Sequence, residues 1–225
     1  MFRLSLKNLL LALSTIEEVH YLTPNVRMIE DTVNIFDDKF ITYENNFTSQ
    51  LHSRYAVLSH LREITEPAFL KRQLQIPKHF AWSEDSDLAV REAIERLRGI
   101  PNNHEDVIDQ LMTIPDFIIH KEQENREREN QLLIAEVKTE ANLTFAKFAW
   151  DFFKLNLYLN KFNFQTSCFI VINNNPGIIR SYVSRYLREH YYCTNRPKDL
   201  FVIIKENYNS KPMVSSLLRI RNHFR

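Results

Sequence analysis

Two short apolar runs, Phe117-Ile118-Ile119 and Leu132-Leu133-Ile134-Ala135, flank Lys121 to Gln131, a stretch that is almost entirely polar and highly charged. Short apolar runs bounded by polar residues are expected to be strands, and this pair predicts a β-hairpin with a solvated tip. Elsewhere apolar residues recur at helical spacing. Leu51, Tyr55, Leu58 and Leu61 predict a helix that starts near Phe47, with Thr48 or Ser49 as cap and Pro67 as a stop beyond Ile64. Val90, Ile94 and Leu97 predict another from Glu84 to Arg98, capped by Ser83 or Asp85 and closed by Gly99 and Pro101. A third, from about Leu143 to Lys161, carries Phe145, Phe148, Trp150, Phe152, Phe153 and Tyr158 around most of its circumference, which predicts burial. Ser167 to Asn173 and Leu200 to Lys205 read as strands separated by a helix from Gly177 to Glu189. Leu74 to Trp82 is the candidate first core strand, limited by Pro77 to an edge or an interrupted one. Tyr21 to Tyr43 has a mixed pattern that predicts no element, and Asn102 to Gln110 reads as polar linker.

At the amino-terminal end, Arg3 and Lys7 precede Leu9-Leu10-Leu11-Ala12-Leu13. That apolar core is too short for a signal peptide and no small-residue cleavage site follows, so an amphipathic helix is expected instead. No run approaches the roughly 18 consecutive apolar residues that span a bilayer. The 225 residues suffice for one sizeable core. Gly99 and Gly177 are the only glycines, which excludes a phosphate-cradling glycine-rich loop. Cys168 and Cys193 lack metal-site spacing, and a reduced, cytoplasmic protein is the expectation.

Net charge is +1, so any nucleic-acid surface must be local. Residues 176–225 carry a net +7, and Arg180, Arg185, Arg188, Arg219 and Arg221 are candidates to track a phosphate backbone. A solvated helix and a disordered tail account for the same charge equally well.

The chemistry concentrates on the hairpin, which Pro115-Asp116 opens and Glu136-Val137-Lys138 closes. Glu136 and Lys138 share a face by strand alternation, and a tip symmetric about Arg126 sets Asp116 opposite Glu136. Two carboxylates and an ammonium on an apolar hairpin are costly to desolvate, and a divalent cation resolves the cost. Asp116 and Glu136 supply carboxylates and the Val137 carbonyl a third oxygen for Mg²⁺ or Mn²⁺, with Lys138 placed to orient or deprotonate a water or to stabilise charge on a phosphate. The bland alternative is a solvated Glu136-Lys138 pair on an exposed hairpin.

Pro115-Asp116 and Glu136-Val137-Lys138 resemble the signature of the PD-(D/E)xK nuclease superfamily, over a span from about Glu44 to Asn173. The resemblance implies an α/β, restriction-endonuclease-like core: a central mixed β-sheet flanked by helices, with an N-terminal helical extension. It divides the chain into an extension over 1–40 and a nuclease-like domain over 41–225, forming one compact unit. It implies a Mg²⁺-dependent nuclease acting on DNA foremost, with Asp116, Glu136, Lys138 and an early acid, Glu44, in the site. It needs no membrane and admits a homodimer. Glu92 and Glu95 compete with Glu44 for the early-acid role, and each has an ordinary reading, Glu44 as an acid favoured near a helix N-terminus and the other two as parts of a charged face. Asp151-Phe152-Phe153-Lys154-Leu155 resembles the helix that follows the E-x-K strand in small members, whose polar positions can assist at the site, although Lys154 equally suits a pairing with Asp151 or Tyr158. The competing classes are a nuclease fold kept as a silent nucleic-acid-binding or partner-binding module, and a structural protein with a coincidental signature.

Overall fold

The structure, a computed structural model, describes residues 4–21, 23–29, 32–41, 44–59, 64–65, 88–101, 115–120 and 127–223. Its helices are α1 Leu4–Thr15, α2 Glu44–Leu58, α3 Leu88–Arg98, α4 Phe145–Lys161, α5 Pro176–Arg188 and α6 Leu217–His223. Its strands are β1 Thr23–Ile29, β2 Thr32–Ile41, β3 Ile64–Thr65, β4 Phe117–His120, β5 Gln131–Lys138, β6 Thr166–Ile172, β7 Leu200–Lys205 and β8 Met213–Ser216. β3 to β8 form one six-stranded sheet in chain order, parallel across β5-β6-β7 and antiparallel towards both edges. The chain is therefore α/β, with a mixed open sheet between helical layers. β1 and β2 form a separate antiparallel pair.

Strand alternation assigns each side chain to one of two cores. Ile118, Ile134, Phe169, Val171, Val202 and Ile204 face α3, α4 and α5. Phe117, Ile119, Leu133, Ala135, Val137, Cys168, Ile170 and Ile203 face the opposite way, onto Leu6, Leu9 and Leu13 of α1 and Phe47, Leu51 and Tyr55 of α2. Both faces of the central strands are covered, which is why β5 and β6 read as continuous apolar runs. α1 thus lines the second core. Cys168 is buried, Cys193 half-buried, and the two are not joined.

The hairpin pairs Phe117 with Ala135, Ile118 with Ile134 and Ile119 with Leu133, a register centred on Arg126, before a bulge pairs His120 with Gln131. The partner of β4 on its other side is Ile64–Thr65, paired with His120 and Ile119. These two residues were expected at the end of a helix, but α2 stops at Leu58 and the β-branched Ile64-Thr65 pair extends instead. Leu61, the expected strand at 74–82 and the expected caps Ser83 and Asp85 lie outside the described residues. Two further strand regions depart from expectation. Thr23–Ile29 and Thr32–Ile41, for which no element was expected, form β1 and β2; adjacent Ile35-Phe36 and Asp37-Asp38 break the alternation that marks a strand. Met213–Ser216 and Leu217–His223 form β8 and α6 where a disordered tail was one reading.

The Asn-rich end of β6 fixes the loops beside the strand ends. Asn174 Nδ2 donates to the carbonyl of Glu140 at 2.7 Å, tying the exit from β5, and Asn175 caps α5 by accepting from the N–H of Gly177 at 2.7 Å. Asn173 takes a left-handed φ of 58° and donates from Nδ2 to the Tyr21 carbonyl at 3.0 Å.

Candidate active site at the hairpin

Asp116 stands directly before β4, and its Oδ2 accepts the backbone N–H of Val137 at 2.8 Å, a tie between the two ends of the hairpin. His52, one face of α2 away, lies with Nε2 3.2 Å from the Asp116 carbonyl oxygen and its ring 4.4 Å from that of Phe117. The same helix brings Glu44, in its first turn, to the far end of β5, where Lys138 Nζ lies 3.2 Å from Oε1 and 3.3 Å from Oε2. Lys138 also lies 3.3 Å from Asp151 Oδ2 on α4. Asp151 Oδ1 holds Lys154 Nζ at 2.5 Å, and Lys154 in turn stands 3.1 Å from Glu136 Oε1. Glu44, Lys138, Asp151, Lys154 and Glu136 thus form one chain of charges, with Asp116 beside it.

Glu136 is 1 % exposed, and its Oε1 has no hydrogen bond even though Lys154 stands 3.1 Å away. Both observations hold: the ammonium is near enough for charge attraction but off the direction that a hydrogen bond needs. Burial pushes the Glu136 carboxyl well above the usual carboxylate range; Lys154 and Lys138 oppose this, while Asp116 and Asp151 add to it. Burial also raises Glu44, against Lys138 and with Asp116. For Lys138, burial works against the ammonium, but Asp151, Asp116 and Glu44 outweigh it and hold the group above the ordinary lysine value. Lys138 is therefore a fixed cation rather than a free amine. Burial disfavours charged Asp151 as well, yet Lys154 and Lys138 hold its carboxyl below the usual range.

Counted as ionised, the four carboxylates outnumber the two ammoniums by two, and burial works against the charge on Glu136 and Glu44. Among the described residues, no group of three or more His, Cys, Asp and Glu side chains is placed to hold a metal ion. The donor chemistry nevertheless fits a hard divalent cation through two carboxylates, with water or phosphate completing the set, because a buried carboxylate oxygen lacks a hydrogen-bond donor and the surplus charge matches the ion.

The structure brings Asp116, Val137, Lys138 and Glu44 together with Glu136. It leaves Glu92 and Glu95 exposed on α3, where Glu95 pairs with Arg98 at 2.7 Å. Asp151 and Lys154 are the members least visible in the sequence. Their signal was two charges three residues apart in the middle of an aromatic-rich helix, between Phe148 and Tyr158. Of the basic candidates, Arg185 pairs with Glu189 at 2.7 Å and covers the Phe145 ring at 3.9 Å. Arg180 and Arg219 line a cleft of about 780 Å³ between α5, β7-β8 and α6, on the same side of the sheet as Glu136 but two strands away. No helix among the described residues is long and apolar enough to cross a membrane. No family model, no curated protein and no solved structure matches the chain.

Proposed function

We propose that this chain is a divalent-metal-dependent nuclease of the PD-(D/E)xK kind, with β3 to β7 and their helices as a restriction-endonuclease-like core and DNA as the foremost substrate. The observation that carries this reading is the hairpin register. Extended by one pair, it sets Asp116 opposite Glu136, on the sheet face that also carries Lys138. Asp116 and Glu136, with the Val137 carbonyl, would hold Mg²⁺ or Mn²⁺, which supplies an acidified water and polarises the phosphoryl oxygen. Lys138, kept protonated by Asp151, Asp116 and Glu44, acts on the charge that develops on the phosphate and orients the attacking water. Glu44 steadies Lys138, whose Nζ lies 3.2 Å from its Oε1. Asp151 fixes Lys138 from the opposite side, so the ammonium is held between two carboxylates.

Calorimetric titration with Mn²⁺ tests the ligand assignment. Wild type binds, Lys138→Ala binds at least as well because a competing cation has gone, and Asp116→Ala binds at least about 10-fold more weakly. Equal Mn²⁺ affinity in wild type and Asp116→Ala removes Asp116 from the ligand set. Absence of binding in wild type favours the silent-module reading, to which the Glu136-Lys154 pair already lends itself.

A further inference from the structure

Lys154 is the group that the nuclease reading leaves without a task. It lies on α4, three residues after Asp151, and is 7 % exposed. An ammonium so deeply buried is stable only with counter-charges around it, and it has two: Asp151 at 2.5 Å and Glu136 at 3.1 Å. The two contacts are unequal. The Asp151 contact is short, whereas the Glu136 oxygen it faces carries no hydrogen bond.

Resting on the metal-site reading above, we infer that Lys154 is a stand-in for the divalent cation: it neutralises Glu136 in the metal-free protein and yields that carboxylate when the metal arrives, remaining anchored on Asp151. The unequal contacts make the exchange feasible. Release from Glu136 breaks no hydrogen bond at Oε1 and does not strand the ammonium, since Asp151 keeps it paired. Asp151 also touches Lys138 at 3.3 Å, so the same residue that receives Lys154 holds the cation proposed to act on the phosphate. Lys154 is in this account a positioning residue, which sets how tightly the metal is held without touching the reacting atoms.

Two substitutions should move metal affinity in opposite directions. Lys154→Met removes the competitor and raises Mn²⁺ affinity by about 10-fold or more, the scale on which a group tied to a ligand tunes a site. Lys154→Arg replaces a point charge by a rigid fork that grips a carboxylate through two donors, and it lowers affinity by a similar factor. Thermal unfolding of the same full-length proteins in excess EDTA and in saturating Mn²⁺ provides a second readout. Lys154→Met unfolds at a lower temperature than wild type in EDTA and gains more from Mn²⁺; adding Glu136→Gln to it removes that extra gain. If Lys154→Met does not fold without metal, Lys154→Arg alone decides the question, because unchanged or tighter Mn²⁺ binding in that variant overturns the inference. Weaker binding in both variants marks a merely structural lysine and also overturns it. Failure of the metal-site reading looks different: wild type itself then shows no Mn²⁺ binding.

Discussion

In the proposed nuclease, replacing Lys138 by Ala is expected to lower phosphodiester cleavage by at least about 10²-fold, the scale of a lost acid-base or electrostatic contributor, while leaving Asp116 and Glu136 in place. Lys138 is the cation at the end of β5, fixed by Glu44 at 3.2 Å and Asp151 at 3.3 Å, and its removal takes from the proposed site the ammonium assigned to the phosphate while Lys154 stays beside Glu136. Affinity for nucleic acid changes little, because it comes from phosphate contacts spread over the surface; one lysine alters the salt slope by about one unit at most. Single-turnover cleavage and fluorescence-anisotropy binding on the same preparation separate the two effects. A parallel fall in cleavage and binding would show that Lys138 serves substrate capture rather than the chemical step.

The largest effect on stability is expected at Phe148. Its side chain is fully buried at the middle of the first core, stacked on Phe152 with ring centres 5.0 Å apart and edge-on to Phe169 of β6 at 5.2 Å. It also contacts Tyr182 at 5.7 Å and Tyr186 at 6.3 Å, so it joins α4, β6 and α5. Phe148→Ala removes the ring and leaves a cavity that these neighbours cannot all collapse into, at a cost of about 3–5 kcal/mol. Urea denaturation followed by circular dichroism measures it. A loss below about 1 kcal/mol would mean that α4 is held to the sheet by contacts other than this aromatic cluster.

The hairpin is the part of the molecule most legible in the sequence. Two short apolar runs around a polar stretch are enough to predict the hairpin, and strand alternation gives the shared face of Glu136 and Lys138; the assumption of symmetry about Arg126 matches the pairing of Phe117 with Ala135, up to the bulge before His120. The approach of Glu44 to Lys138 was legible only through a family resemblance, since the two are 94 positions apart and the contact depends on how α2 packs beneath the sheet. Asp151 and Lys154 had two readings, polar positions assisting at the site by resemblance and a local pair on a helix. Their wider role comes from α4 crossing β5, which no periodicity encodes. Ile64-Thr65 and Met213–Ser216 are too short to show a strand period at all, and they become strands because β4 and β7 present edges to them.

The central claim is that Asp116, Glu136 and Lys138 form a divalent-metal-dependent phosphodiesterase centre, and the direct measurement is cleavage of plasmid and single-stranded substrates by the purified full-length protein with Mg²⁺, with Mn²⁺ and with EDTA. The account predicts cleavage with metal, none in EDTA, and none by Asp116→Ala under any of these conditions. Metal-supported cleavage that survives in Asp116→Ala, or an intact substrate throughout with wild type, would contradict it.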